Sequence, residues 1–435
     1  MQDLHLHRKM LWAAFAVYLA LLPSARLAFG HLPELFGHEY VRVQALSSNT
    51  ITPVHLPTAL EETGHTGTQQ DAEAFEEQVK NSERAHGPYA TGLTDPLISL
   101  GIHYYSLGKH EQALEAYRRA LHVARVNDGL TSDRQIPILR GLIRLYRESG
   151  DFESLDGAFR YYARVQAIGA VPPTRQELDD GLEYFEWQRE AYTSRRDGKQ
   201  AVHLLQAYLG NEQMLKALSA SEDADPEWFR QLVMSQMRNL YLLLSSEPVT
   251  LHDHGFIPGQ LVPDEATLRR IQYIQKSGIS RGQELLKEAI VRGQAFEATD
   301  RAALHLELGD WYQYHSKFSK AGREYAQVVK ILSEAGQDDL LSQWLEQPME
   351  LPDERELWQL PPEQDQHGGL VVVAQYKVSA RGEARSLKVS VPGADSSGQA
   401  RRIKAMLRET HFRPRFVRGV AESSEPVTRT YRLLD

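Results

Sequence analysis

Cysteine is absent from all 435 residues. That excludes disulfides, a thiolate nucleophile, zinc sites built on thiolates, and lipid anchors attached through a cysteine. It is compatible with an oxidising compartment. Long apolar runs are also scarce. After Leu22 no segment approaches the roughly 20 residues that a spanning helix needs, so the bulk of the chain reads as soluble. No phosphate-cradling glycine loop, zinc-protease helix or nucleophile elbow is present, so no catalytic residue, metal site or cofactor is assigned. His252-Asp253-His254 packs three metal-ligand types together, but it lies between prolines without a further ligand at suitable spacing and reads as a polar turn. His31 and His38 are isolated. Asp179 and Asp180 open a helical stretch, where capping and the helix dipole account for them. Acid–base pairs leave no spacing signature, so an enzyme assembled from scattered residues is the third and weakest reading.

The N-terminus holds a recognisable pattern. Arg8 and Lys9 precede an apolar run from Met10 to Leu22, which is 13 residues long, and small residues follow at Ala25, Ala28 and Gly30. A basic start, a short apolar centre and a small-residue end predict a secretory signal over 1–30. The alternatives are an uncleaved anchor in the inner membrane, facing the periplasm, and an ordinary buried helix. Residues 31–70, with Pro33, Pro53 and Pro57, read as a linker or lead-in.

Helical periodicity dominates 71–336. Phe75 and Val79 fall four apart. Leu97, Leu100, Tyr104 and Leu107 share a face up to Gly108, and Ala113, Leu114, Tyr117, Ala120 and Leu121 form the next stripe. Leu139, Leu142, Ile143 and Tyr146 then run to a stop at Gly150, before Phe152, Leu155, Phe159 and Tyr162. The set Leu308, Gly309, Tyr312, Ala321 and Tyr325 repeats the first pattern. Between 174 and 297 the spacing predicts helices over 175–195, 200–209, 227–244, 265–275 and 281–296, with a loop across 248–263. Residues 337–368 carry Pro348, Pro352, Pro361 and Pro362 among many acids and read as a second linker. The period then becomes two. Val372, Ala374, Tyr376 and Val378 share a strand face, Arg381-Gly382 supplies a turn, Leu387, Val389 and Val391 alternate, a helix starts near Gly398, and 427–433 closes as a strand.

These helical units resemble tetratricopeptide (TPR) repeats, in which small residues sit where two helices cross and an aromatic fills the gap. The second unit departs at Ile143 and Leu155, where small residues are usual. Its 42-residue spacing from Gly108 to Gly150 exceeds the roughly 34 usual in the family. Residues 369–435, through the Gly382 hairpin, the helix from Ala400 to Arg408, Phe412-Arg413-Pro414, Gly419 and Tyr431, resemble the C-terminal domain of TonB. The fold class expected is therefore mainly α: a TPR-like α-helical solenoid followed by a small α+β domain of β-β-α-β order. The resemblance implies a periplasmic protein of the cell envelope. It departs from TonB in lacking a long proline-rich spacer.

Charge is divided unevenly. From Val371 onward there are 13 Lys and Arg against 6 Asp and Glu, a balance of +7, which leaves −16 for the rest of a chain of net charge −9. TPR arrays line a groove with the first helix of each pair. By that resemblance the groove would show Ile98, Ile102 and Tyr105, then Arg140, Arg144 and Arg147, then Leu306, Asp310 and Tyr314. Three guanidinium groups at helical spacing suit a carboxylate or phosphate, or else form a solvated face paired with nearby acids such as Glu148. In the C-terminal region Arg401, Arg402, Arg413, Arg415 and Arg418 form a basic cluster. An outer-membrane protein, an anionic envelope component, an acidic partner segment or the chain's own acidic helices would neutralise it. The export signal and the acidic body disfavour nucleic acid. The expectation is a non-enzymatic adaptor for a protein or peptide partner. The alternative is an anchored TonB-like energy-transducing or coupling protein for an outer-membrane receptor.

Overall fold

Thirteen α-helices follow one another among the described residues, and a small set of strands closes the chain. The structure, a computed structural model, describes residues 69–166, 173–194, 199–221, 224–245, 264–352, 370–390, 397–417 and 419–433. The expected export segment, His31 and His38, almost all of the 31–70 lead-in, the His252–His254 turn and Arg418 lie outside them.

The helices are α1 (Gln69–His86), α2 (Thr94–Ser106), α3 (His110–Asp128), α4 (Ile136–Ser149), α5 (Phe152–Val165), α6 (Arg175–Ser194) and α7 (Gln200–Ser219). Then come α8 (Pro226–Ser245), α9 (Glu265–Arg292), α10 (Ala298–Tyr314), α11 (Phe318–Glu334) and α12 (Asp338–Leu345). Local chemistry sets their ends. Asp151 caps α5 by accepting from the Ser154 amide at 3.1 Å, and Asp264 caps α9 by accepting from Thr267 at 2.7 Å. Gly150 ends α4 at φ 69°, a left-handed position suited to glycine.

Substantial packing runs only between consecutive helices and second neighbours along the chain. No single pair buries its own apolar faces, and the row does so collectively. One continuous core of side chains extends from Ala72 to Leu345. Aromatic rings seated on glycines draw the helices together. A methyl group at Gly101 of α2 would lie 2.9 Å from the Tyr117 ring of α3, and one at Gly141 of α4 would lie 2.6 Å from the same ring. Tyr117 is thereby gripped from both sides and is almost fully buried. The small residue missing from position 143 is present two places earlier.

Three expectations change. The helix expected over 200–209 runs on to Ser219 as α7. The separate helices over 265–275 and 281–296 are one 28-residue helix, α9. Its glycines do not stop it. Gly278 admits the Leu240 and Leu244 side chains, and Gly282 admits Trp311, whose ring nitrogen donates to the Ile279 carbonyl at 3.1 Å. The expected linker over 337–368 begins with α12 and a short strand, β1 (Met349–Glu350). Leu340, Leu341, Trp344 and Leu345 give α12 an apolar face that joins the core, and the prolines lie beyond it.

The C-terminal region holds β2 (Leu370–Val378), β3 (Ala384–Ser390), α13 (Ser397–Glu409), β4 (Phe412–Arg413), β5 (Arg415–Val417), β6 (Val420–Glu422) and β7 (Val427–Leu433). β2 is the centre of an antiparallel sheet of order β3-β2-β7, while β1 pairs with β4 and β5 with β6. Val372, Ala374, Tyr376 and Val378 are buried on one face, the strand face expected, with Ile403 and Leu407 of α13.

Gly141→Ala is expected to lower stability by about 1–3 kcal/mol, because Tyr117 has nowhere to retreat. Gly157→Ala in α5 meets nothing within 4 Å and is expected to raise stability by about 0.5–1 kcal/mol through helix propensity. Urea denaturation of both variants measures the contrast.

Candidate functional site

The arginines of α4 reach across to α6. Arg140 donates from Nε to the Tyr162 hydroxyl at 3.0 Å and from Nη2 to Asp180. Asp180 also accepts from Gln166 and, at 2.8 Å, from Gln176. Its side chain is only 3% exposed and that of Arg140 18%. Arg147 lies 2.9 Å from Glu190, with its guanidinium over the Trp187 and Phe159 rings. Arg144 differs. It makes no ion pair among the described residues, and its guanidinium lies 5.2 Å from the centre of the Tyr105 ring, in cation–π contact. The Tyr105 hydroxyl donates to Glu148 of α4. Tyr105, Arg144 and Glu148 thus form a half-exposed patch joining α2 to α4. Ile98 and Ile102 are partly buried against the core.

Sequence reasoning missed the carboxylates of α6. Asp180 is not a helix cap but the buried counter-ion of Arg140, while Asp179 pairs within its own helix with Arg175. Glu183, one turn on from Asp180, feels the charges of Arg147, Asp180 and Arg140. Burial lifts its carboxyl to about 7, against the opposing pull of Arg147.

Asp310 and Tyr314 lie under the C-terminal region, while Leu306 is partly buried against the helical core. Asp310 is 2% exposed and Arg413 1% exposed, and the two form a bidentate ion pair. The Tyr325 hydroxyl donates to the same Asp310 oxygen at 2.8 Å, and Arg413 also donates to the Trp344 carbonyl at 2.9 Å. Gln313 donates to the carbonyls of Arg381 at 2.8 Å and Phe412 at 3.0 Å. A methyl group at Gly382 would lie 2.0 Å from the Phe412 carbonyl oxygen. Phe416 packs on the Tyr325 ring at 4.8 Å and belongs to the core of the helical row. Tyr314 touches the rings of Tyr241, His315 and His411. Asp310 is therefore no open groove residue and Arg413 no surface cation. Arg401 is exposed and Arg415 half-buried, so of the described cluster members Arg413 is the one withdrawn from the surface. Nothing local in the sequence named Arg413, 103 residues away, as the partner of Asp310.

Among the described residues no group of His, Asp and Glu could hold a metal ion, and no helix is long and apolar enough to cross a membrane. No protein-family model matches the sequence, and no curated protein matches it. Among solved structures, BtubC (BKLC) from P. vanneervenii is similar at 14% identity and a TM-score of 0.33, over 64% of this chain and 93% of that one. That likeness is too distant to bear on fold or role.

Two outcomes follow from the buried charges. Arg140→Met strands the Asp180 carboxylate and is expected to cost about 3 kcal/mol, whereas Arg144→Ala changes stability by less than about 1 kcal/mol. Thermal unfolding separates them. Glu183 binds its proton more tightly folded than unfolded, so its stabilising share is full below about pH 4.5 and is lost as pH rises through about 7. Glu183→Gln is expected to raise stability at about pH 8 by on the order of 2 kcal/mol, with little gain at about pH 4.5, in denaturation curves taken at both values.

Proposed function

We propose that this protein is an exported, non-enzymatic adaptor of the cell envelope. A TPR-type helical array binds an extended peptide segment of a protein partner, and a TonB-like C-terminal domain is docked at the array's far end. The consecutive and second-neighbour packing of the helices supports the array reading, because that is how stacked repeats share a core. The antiparallel β3-β2-β7 sheet with α13 on one face supports the C-terminal reading. The basic start and short apolar run before Pro23 support export.

One observation carries the binding assignment. Of the three arginines on α4, Arg144 alone makes no ion pair among the described residues, and it is held in position by the Tyr105 ring. A guanidinium fixed over an aromatic face presents its remaining donors in a fork that matches a carboxylate. Tyr105, Ile98 and Ile102 supply apolar surface beside it. The partner segment this suits carries an acidic residue next to an apolar one. Arg140 and Arg147 are already engaged by Asp180 and Glu190 and serve to hold α4 against α6.

A photo-crosslinking residue placed at Ile102 in the full chain, in its native envelope, tests this. The expected result is a discrete adduct that disappears in Arg144→Glu while the melting temperature is unchanged. An adduct pattern identical in that variant, or no adduct in the parent, overturns the assignment.

A further inference from the structure

The junction between the helical row and the C-terminal region contains imidazoles as well as the Asp310–Arg413 pair. His315 follows α10 and His411 precedes β4, and both rings contact Tyr314, at 5.1 and 5.3 Å between centroids. Trp311 closes on His315 at 4.4 Å, and Tyr241 of α8 packs against both Trp311 and Tyr314. His315 Nε2 is buried without a hydrogen-bond partner. Rings therefore wall His315, and its Nε2 has no hydrogen-bond partner among the described residues. The charges nearby do not help. Lys317, at the start of α11, acts on His315 with the same sign, as does His411 itself. Asp310 and Arg413 engage each other, and Glu350 of β1 sits across the ladder from Phe412. His411 also belongs to the joint through its backbone, because its carbonyl accepts from the Leu351 amide at 2.9 Å.

We propose that this joint is a pH-sensitive latch, in which protonation of His315 and His411 loosens the C-terminal domain from α10 and α11. Two cations in a ring-walled cage repel each other and lose hydration without gaining a partner. Released, each regains water. Loosening would uncover the Asp310 and Tyr314 face of the helical row and the Arg413 side chain together, so the latch governs surfaces that are hidden in the docked form. The inference stands on the joint alone and does not depend on what Arg144 binds.

The sign follows from the burial. Desolvation, with Lys317 and His411 adding to it, lowers His315 from 6.5 to about 4, and burial also lowers His411. The docked form then holds fewer protons than the released form between those limits. Docking is complete above about pH 6.5 and is lost progressively as pH falls towards about 4.

The cysteine-free chain permits a direct test. Val291 on α9 and Val420 on β6 are 67% and 62% exposed, so Val291→Cys and Val420→Cys can carry a donor and an acceptor dye in the full-length protein. The expected result is a reversible fall in energy transfer from about pH 7.5 to about pH 4.5, with the helical circular dichroism retained. His411→Gln, which keeps the backbone contact to Leu351, is expected to move the midpoint down by about one pH unit. Adding His315→Gln is expected to move it further. If the double variant fails to fold, the single His411→Gln shift decides. Transfer that stays constant to about pH 4, a midpoint unmoved by His411→Gln, or loss of helicity in the same step overturns the latch.

Discussion

The ion pair between Asp310 and Arg413 fixes how the C-terminal region fits against the last helices of the row. Two charges taken out of water cost several kcal/mol each, and mutual attraction offsets that only where the geometry is good and the remaining donors are occupied. Both conditions hold. Asp310 receives the guanidinium fork and the Tyr325 hydroxyl, and Arg413 spends a further donor on the Trp344 carbonyl. Such a pair adds little net stability over a well-packed apolar contact. What it adds here is position. An arginine displaced by one residue would leave Asp310 buried and bare, so β4 has one seat on α10. Gln313 reinforces that seat by reading the carbonyls of Arg381 and Phe412. The lack of space at Gly382 brings the hairpin turn against the same point.

A row of helices has an end problem, because its last apolar face has no following neighbour. The two ends solve it differently. At the first described helix, α1 places Ala72 and Val79 inward and turns Glu73, Glu77, Lys80 and Arg84 to solvent. At the other end the cover is another fold. α12 packs on α11, Phe416 enters the shared core, and β1 leaves the helical row to pair with β4. In the sequence the charge divides along the same line, +7 from Val371 onward against −16 before it, and the decisive contact is made by one buried residue from each side.

Much of this was legible in the sequence, for a physical reason. Helix stops at Gly108 and Gly150, the apolar stripes and the alternation of Val372, Ala374, Tyr376 and Val378 are all set by neighbours within a few residues. Misreadings arose where distant residues decide. Gly278 and Gly282 look like a break in α9 until Leu240, Leu244 and Trp311 are seen to occupy the space they leave. The α12 segment looked like linker because nearby prolines and acids outweighed four apolar residues. Two of the candidate site residues, Asp310 and Arg413, were expected to be open and are buried. A first-helix position predicts which side of the helix a residue takes, but not whether another part of the chain already covers that side.

That distinction narrows where a partner can bind. A charged side chain already desolvated by an intrachain partner has little left to offer, since recruiting it means first breaking a satisfied buried contact. Arg140 and Arg413 are in that state, and Arg147 is shared with Glu190. Arg144 lies at the opposite limit, oriented by the Tyr105 ring but not neutralised. Pre-orientation without neutralisation lowers the ordering cost of binding while leaving the charge available. Of the expected groove residues this leaves Arg144, with Tyr105 beneath it, as the position where an incoming carboxylate gains most and displaces least.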